Sequence, residues 1–156
     1  MKETTRKTII ALNYILTKAV YILYPLLLLY LAATHLTDMD PGLLPAVLVP
    51  GISFVLVSIF RYLYNAPRPY EMPGAKEPVI KKDAPGKSFP SRHIFSIFII
   101  AVTLFWVWPI PGIIVGIAGT VLAVCRVMGG VHFPRDVIAG ALIGIACGII
   151  GYYVIL

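Results

Sequence analysis

His132 and Asp136 stand four residues apart, with Pro134 between them. If a helix begins near Phe133, that spacing folds the carboxylate back toward the imidazole, where it can accept one ring N–H. The other ring nitrogen is then bare and directed outward, as a nucleophile or base requires. The plain alternative is a helix-start aspartate beside an unrelated loop histidine. A second histidine closes the run Phe89-Pro90-Ser91-Arg92-His93. Ser91 can cap a helix that starts there, and the free N–H groups of a first helical turn favour an anion, to which the Ser91 hydroxyl could add one donor. His93 would lie inside that turn, within reach of whatever it binds. Arg61, Arg68 and Arg126 each carry a planar fork of donors suited to phosphate oxygens. Arginines at span ends also snorkel harmlessly, but three forks on one surface can neutralise a phosphate dianion. Pro67 and Pro69 flank Arg68 and hold its backbone extended. Zinc is the competing chemistry, with His93, His132, Asp136 and Cys125 as the available ligands. The arginines already bring the positive charge a metal would supply, so the expectation is a site with no metal and no cofactor.

These residues must be held by a membrane protein. Of the 156 residues 59% are hydrophobic, and the mean hydropathy is +0.89. A bilayer offers no water to backbone groups, so such a chain spans as helices or as a closed barrel. Long unbroken apolar runs, without the alternation of a barrel strand, select helices. Five segments are expected to span: about Thr8 to Ala33, Leu43 to Tyr64, His93 to Trp108, a fourth ending near Met128, and a fifth from about Asp136 onward. The basic start, Met1 to Lys7, looks superficially like a signal peptide, but the apolar stretch behind it reads as a retained first span. Asn13 and Lys18 make its first turns interfacial. Pro109-Ile110-Pro111-Gly112 predicts a tight turn that makes the third and fourth spans an antiparallel hairpin. Trp106 and Trp108 fall where an aromatic belt lies. Gly140, Gly144 and Gly148 place a bare stripe on the fifth span for close helix packing.

With an odd number of spans, the N-terminus, the loop around Ala66 to Pro90 and the loop around Gly129 to Arg135 share one face. Most of the 13 lysines and arginines lie there, and the opposite face, with His35, Asp38 and Asp40, has none. Charge bias makes the crowded face, which also carries the site, cytoplasmic. The net charge of +6 is therefore read as a match for anionic lipid or a phosphorylated substrate, not nucleic acid, since no basic soluble module remains outside the spans. Cys125 and Cys147 lie in apolar segments and read as free buried thiols. The loop from Tyr70 to Lys87 reads as a solvated connector.

Arg61-x6-Arg68-Pro69, Pro90-Ser91-x-His93 and Arg126-x5-His132-x3-Asp136 resemble the three motifs of the type 2 phosphatidic acid phosphatases, which share their site with vanadium haloperoxidases. The resemblance implies an all-α integral membrane bundle of about five transmembrane helices, residues 1–156 forming one lipid phosphatase domain. By position it implies that His132 attacks phosphorus, Asp136 orients it, and His93 protonates the leaving oxygen and then activates water. Arg61, Arg68, Ser91, Arg92 and Arg126 would hold the phosphate oxygens. The family usually has lysine at Arg61, glycine at Arg92 and serine at Cys125, and its membrane members commonly have six spans. The implied substrate is a phospholipid or isoprenoid phosphate of the phosphatidic acid, phosphatidylglycerol phosphate or undecaprenyl pyrophosphate type. A phosphotransferase using the same phosphohistidine, and a non-catalytic lipid-binding or transport protein, are the alternatives.

Overall fold

A computed structural model describes residues 2–35, 42–81 and 85–155. Asp38, Asp40 and Lys82 lie outside the described residues. Five α-helices are found among those described: α1 (Glu3–His35), α2 (Leu43–Tyr64), α3 (Arg92–Val107), α4 (Pro109–Met128) and α5 (Pro134–Ile150), the last continuing as a π-helical turn over Gly151–Ile155. No strand occurs among them. The chain is an all-helical membrane bundle. α1, α2, α4, and α5 together with its π-helical continuation, are long and apolar enough to cross a bilayer. Their outward faces present bare hydrocarbon, Leu29, Leu63, Ile110 and Leu142 among it, which suits lipid as solvent.

Two helix lengths decide how the bundle meets a bilayer. α1 begins five residues before Thr8, and its 33 residues span about 50 Å, more than the hydrocarbon thickness of about 30 Å, so its first turns extend past that layer. α3 has only 16 residues, short of the roughly 17 a full span requires. Prolines confine it. Pro90 precedes its cap, and Pro109 disfavours helical backbone at Trp108, which takes an extended conformation with φ −141° and ψ 107°. The turn between α3 and α4 is thus the single residue Trp108. Pro109, expected to help form a loop, instead opens α4, where a missing N–H is harmless.

α3 lies at the centre of the bundle, with Ile94, Phe95, Ile97 and Ile99 inaccessible and part of one core with Leu27, Leu31, Leu122 and Tyr152. The glycine stripe of α5 packs against it. A Cβ at Gly140 would come within 2.7 Å of the Ser91 carbonyl oxygen, and one at Gly144 within 2.6 Å of the Phe95 oxygen, so the two backbones touch only because these positions are bare. At the end of the bundle away from the arginines, Trp108 meets Tyr30 at 4.7 Å between ring centroids, and Trp106 meets Tyr153 at 4.8 Å.

The loop from Tyr70 to Lys87 is exposed for most of its length but is not a free connector. Glu71 accepts from Gly86 N–H at 2.9 Å and from Arg68 N–H at 2.7 Å. Val79 and Ile80 N–H both donate to the Gly129 carbonyl, at 3.0 and 3.2 Å, laying this loop over the next.

Candidate active site

The starts of α3 and α5 are tied together, because Ser91 N–H donates to the Asp136 carbonyl at 2.8 Å. That bond joins the cap of α3, two residues before His93, to the first turn of α5, just after His132. Phe133 caps α5, and its N–H donates to Asp136 Oδ2 at 2.9 Å. The aspartate therefore folds back over its own helix start, and Oδ2 lies 3.5 Å from His132 Nδ1. Ser88 completes the group. Its hydroxyl donates to the same Oδ2 at 2.5 Å and stands 3.4 Å from Nδ1. Ser88 and Asp136 are fully buried and His132 is 2% exposed. A carboxylate facing Nδ1 favours the tautomer with its proton there, which leaves Nε2 bare. Burial, helped by Arg68 and Arg126 and opposed by the Asp136 hydrogen bond, pushes the His132 imidazole from its ordinary 6.5 down to about 4. The ring is neutral at physiological pH, the form in which it can attack.

Arg61, Arg68 and Arg126 are 7%, 2% and 4% exposed. The guanidinium groups differ in occupation. Arg61 donates to the carbonyls of Lys87, Ser88 and Pro90. Arg68 donates to Gly86 at 2.8 Å, Val131 at 2.9 Å and Lys87 at 3.4 Å. Both forks, expected to face phosphate, clasp the loop that carries Ser88 and Ser91, and Arg68 also reaches the residue before His132. The physical reason is elementary: a buried guanidinium must satisfy its donors, and these loops expose unpaired carbonyls to it. Burial pulls the Arg68 pKa down, with Tyr70, Glu71 and Asp136 opposing. Arg126 is different: its Nε has no partner. The Ser91 hydroxyl is likewise buried and unpartnered, so Ser91 stands at the cap of α3 without using its side chain to cap it. Each of these orphan donors can take an anion's oxygen without breaking any existing bond.

Arg92 is exposed, with its guanidinium carbon 5.5 Å from the Phe54 ring centroid. His93 is half-buried and meets Tyr21 edge-on at 6.5 Å between centroids. Among the described residues no three His, Cys, Asp or Glu side chains converge as metal ligands would. Cys125 and Cys147 are free thiols. Sequence reasoning assigned no role to Ser88 or Glu71. Ser88 lies three residues before Ser91 inside the motif-bearing stretch, which was the available signal. A carboxylate that ties two loop segments has no local signature.

The chain is thus a helical membrane bundle that buries a histidine–aspartate pair and leaves two polar donors unpartnered. The chain belongs to the PAP2 superfamily, whose model matches residues 42–156. It is 32% identical over 104 residues to the bacitracin transport permease protein BcrC of Bacillus licheniformis, a match covering 60% of this chain and 48% of that protein. The match thus spans about half the length of that curated relative. Among solved structures it is similar to Aquifex aeolicus LpxE, with a TM-score of 0.74 and 28% identity, covering 97% of this chain and 87% of that one. It shares its fold with the first transmembrane PAP2 type phosphatidylglycerolphosphate phosphatase from Bacillus subtilis, with a TM-score of 0.71 and 23% identity over 97% of this chain and 76% of that one.

Proposed function

We propose that the chain, as one membrane-embedded domain, hydrolyses a lipid phosphomonoester or pyrophosphate through a phosphohistidine at His132. One observation carries the reading: a buried imidazole facing Asp136 and Ser88, in a chain whose Ser91 hydroxyl and Arg126 Nε are also buried and left without partners. His132 Nε2 attacks phosphorus, while Ser91 and Arg126 hold equatorial oxygens as charge builds on them. Arg61 and Arg68 contribute field and fix the loops. His93 protonates the leaving oxygen and then takes a proton from the water that releases phosphate. A groove of about 330 Å3 between α1, α2 and α3, lined by Tyr24, Pro25, Pro50, Ile99 and Ile100, suits a hydrocarbon tail. Phosphatidic acid, phosphatidylglycerol phosphate and undecaprenyl pyrophosphate types fit this site. By charge bias the active-site face is cytoplasmic, which labelling of a cysteine placed at residue 76 in intact cells tests.

The experiment is phosphate release from a panel of lipid phosphates by purified protein. His132→Ala should abolish release and keep the fold in detergent; wild-type turnover in that variant would overturn the assignment. Hydrolysis puts solvent oxygen from labelled water into the phosphate, and a phosphotransferase does not. A second reading, a non-catalytic transport protein, is motivated by the name of the Bacillus licheniformis relative. It predicts no turnover at all.

A further inference from the structure

Glu71 is an exposed residue that ends the single 3-10 turn Pro69–Glu71, where the loop after Arg68 begins. Its carboxylate is nonetheless committed to backbone. Oε2 accepts from Arg68 N–H at 2.7 Å and from Gly86 N–H at 2.9 Å, and Oε1 stands 3.1 Å from the same Gly86 nitrogen. The Gly86 carbonyl in turn accepts from Arg68 Nε at 2.8 Å, so Glu71 holds one side of that residue and Arg68 the other. Gly86 and Lys87 follow one another in the left-handed region, with φ +64° and +53°. Glycine takes this conformation freely, whereas a lysine takes it only where its surroundings hold it. Held there, the Lys87 carbonyl accepts from the Arg61 and Arg68 forks together.

Two routes lead from this knot to the nucleophile. Arg68 reaches past Gly86 to the Val131 carbonyl at 2.9 Å, and Val131 immediately precedes His132. The loop that Glu71 closes also runs back across the segment before His132, where Val79 and Ile80 N–H donate to the Gly129 carbonyl. The fit there is close: a Cβ at Gly129 would come within 2.4 Å of Ile80 Cδ1, and Gly130 beside it has φ +74°. Residues 129 to 131 are thus gripped by a guanidinium and by a loop that both depend on one carboxylate.

Resting on the phosphohistidine reading, we propose that Glu71 is a positioning residue for attack by His132. It fixes the Arg68 guanidinium against the Val131 carbonyl and closes the loop that lies on Gly129, and so sets where the imidazole stands. No bond to substrate forms or breaks at Glu71. A nucleophile displaced by about 1 Å from its line of attack loses on the order of 100-fold in rate. Phosphate held by Ser91 and Arg126 does not depend on Glu71, so the effect falls on kcat rather than on KM.

The test is steady-state phosphate release by the full chain in detergent, from the lipid phosphate that the wild type turns over fastest, with thermal melts alongside. Glu71→Ala should lower kcat about 10–100-fold and leave KM within about threefold. Glu71→Gln can place its carbonyl oxygen where Oε2 stands and accept from both N–H groups, so its kcat should lie within about threefold of wild type. Glu71→Asp keeps the charge but is one methylene too short to reach both, and should fall between the two. A staple that merely stabilised the loop would lower the melting temperature and leave kcat intact below the melt. A folded Glu71→Ala variant with kcat within about twofold of wild type, a loss confined to KM, or a glutamine variant as slow as the alanine one overturns the proposal. Where Glu71→Ala does not fold, the other two variants decide: glutamine faster than aspartate supports the proposal, and equal rates overturn it. A wild type that releases no phosphate from any panel lipid, or a His132→Ala variant that does release it, removes the phosphohistidine reading and this one with it.

Discussion

Replacing Asp136 with asparagine removes one charge from the site and almost no volume. The carboxylate is fully buried, and its Oδ2 accepts from Phe133 N–H at 2.9 Å and from the Ser88 hydroxyl at 2.5 Å. An asparagine must turn its carbonyl oxygen toward the Phe133 N–H, since its amide nitrogen would oppose donor to donor. That oxygen still faces His132 Nδ1 across the 3.5 Å of the native pair. The substitution thus keeps the geometry and isolates the charge. When His132 attacks phosphorus its ring becomes cationic, and its surroundings resist. The drop in pKa from 6.5 to about 4 corresponds to roughly 3 kcal/mol of disfavour for a charged ring. Asp136 is the carboxylate opposing that disfavour. A hydrogen bond to a charged group contributes about 1.5–3 kcal/mol, so kcat should fall about 10–150-fold. KM should move less than about threefold, because the charge matters only once the ring turns cationic. The assay is phosphate release from a lipid phosphate in mixed micelles at saturating substrate, with a thermal melt as control. Turnover within about threefold of wild type, at an unchanged melting temperature, would refute the role given to Asp136.

Ser88→Ala removes a donor from Asp136 and should destabilise the fold by about 1–2 kcal/mol while lowering kcat several-fold; detergent melts and steady-state rates check it. Gly144→Leu forces a side chain against the Phe95 carbonyl and should part α3 from α5, lowering the melting temperature by an amount equivalent to about 1–3 kcal/mol and disturbing the Ser91–Asp136 link. His132 binds fewer protons in the folded state than in the unfolded state between pH 6.5 and about 4, so stability should decline as pH falls through that window, by up to roughly 3 kcal/mol. Denaturant unfolding at pH 7 and pH 4.5, repeated on His132→Gln, isolates this contribution, because the variant should lose less on acidification.

The bundle was legible because apolar runs of span length declare themselves, and Leu43 to Tyr64 matched the helix that formed there. The end of α4 at Met128 and the bare stripe of α5 were equally plain, since both depend on local pattern. The fold-back of Asp136 toward His132 was readable for the same reason: four residues at a helix start have few conformations. The destination of the Arg61 and Arg68 donors was not readable. Their partners are carbonyls, which every residue carries, at positions 18 to 63 residues away. Ser88 was missed on similar grounds, because its partner Asp136 lies 48 residues downstream.

The brevity of α3 has a consequence for the membrane itself. Sixteen residues rise about 24 Å, some 6 Å less than a typical hydrocarbon layer. Were Trp108 to mark one interface, the opposite tip, bearing Arg92 and His93, would lie beneath the level of the surrounding glycerol groups. Lipids crowding that tip must dip or tilt to meet it, which lowers the local thickness and delivers a headgroup downward without lifting its tail. Turnover should accordingly depend on acyl-chain length in the host bilayer, quickening in thin membranes and slowing in thick ones.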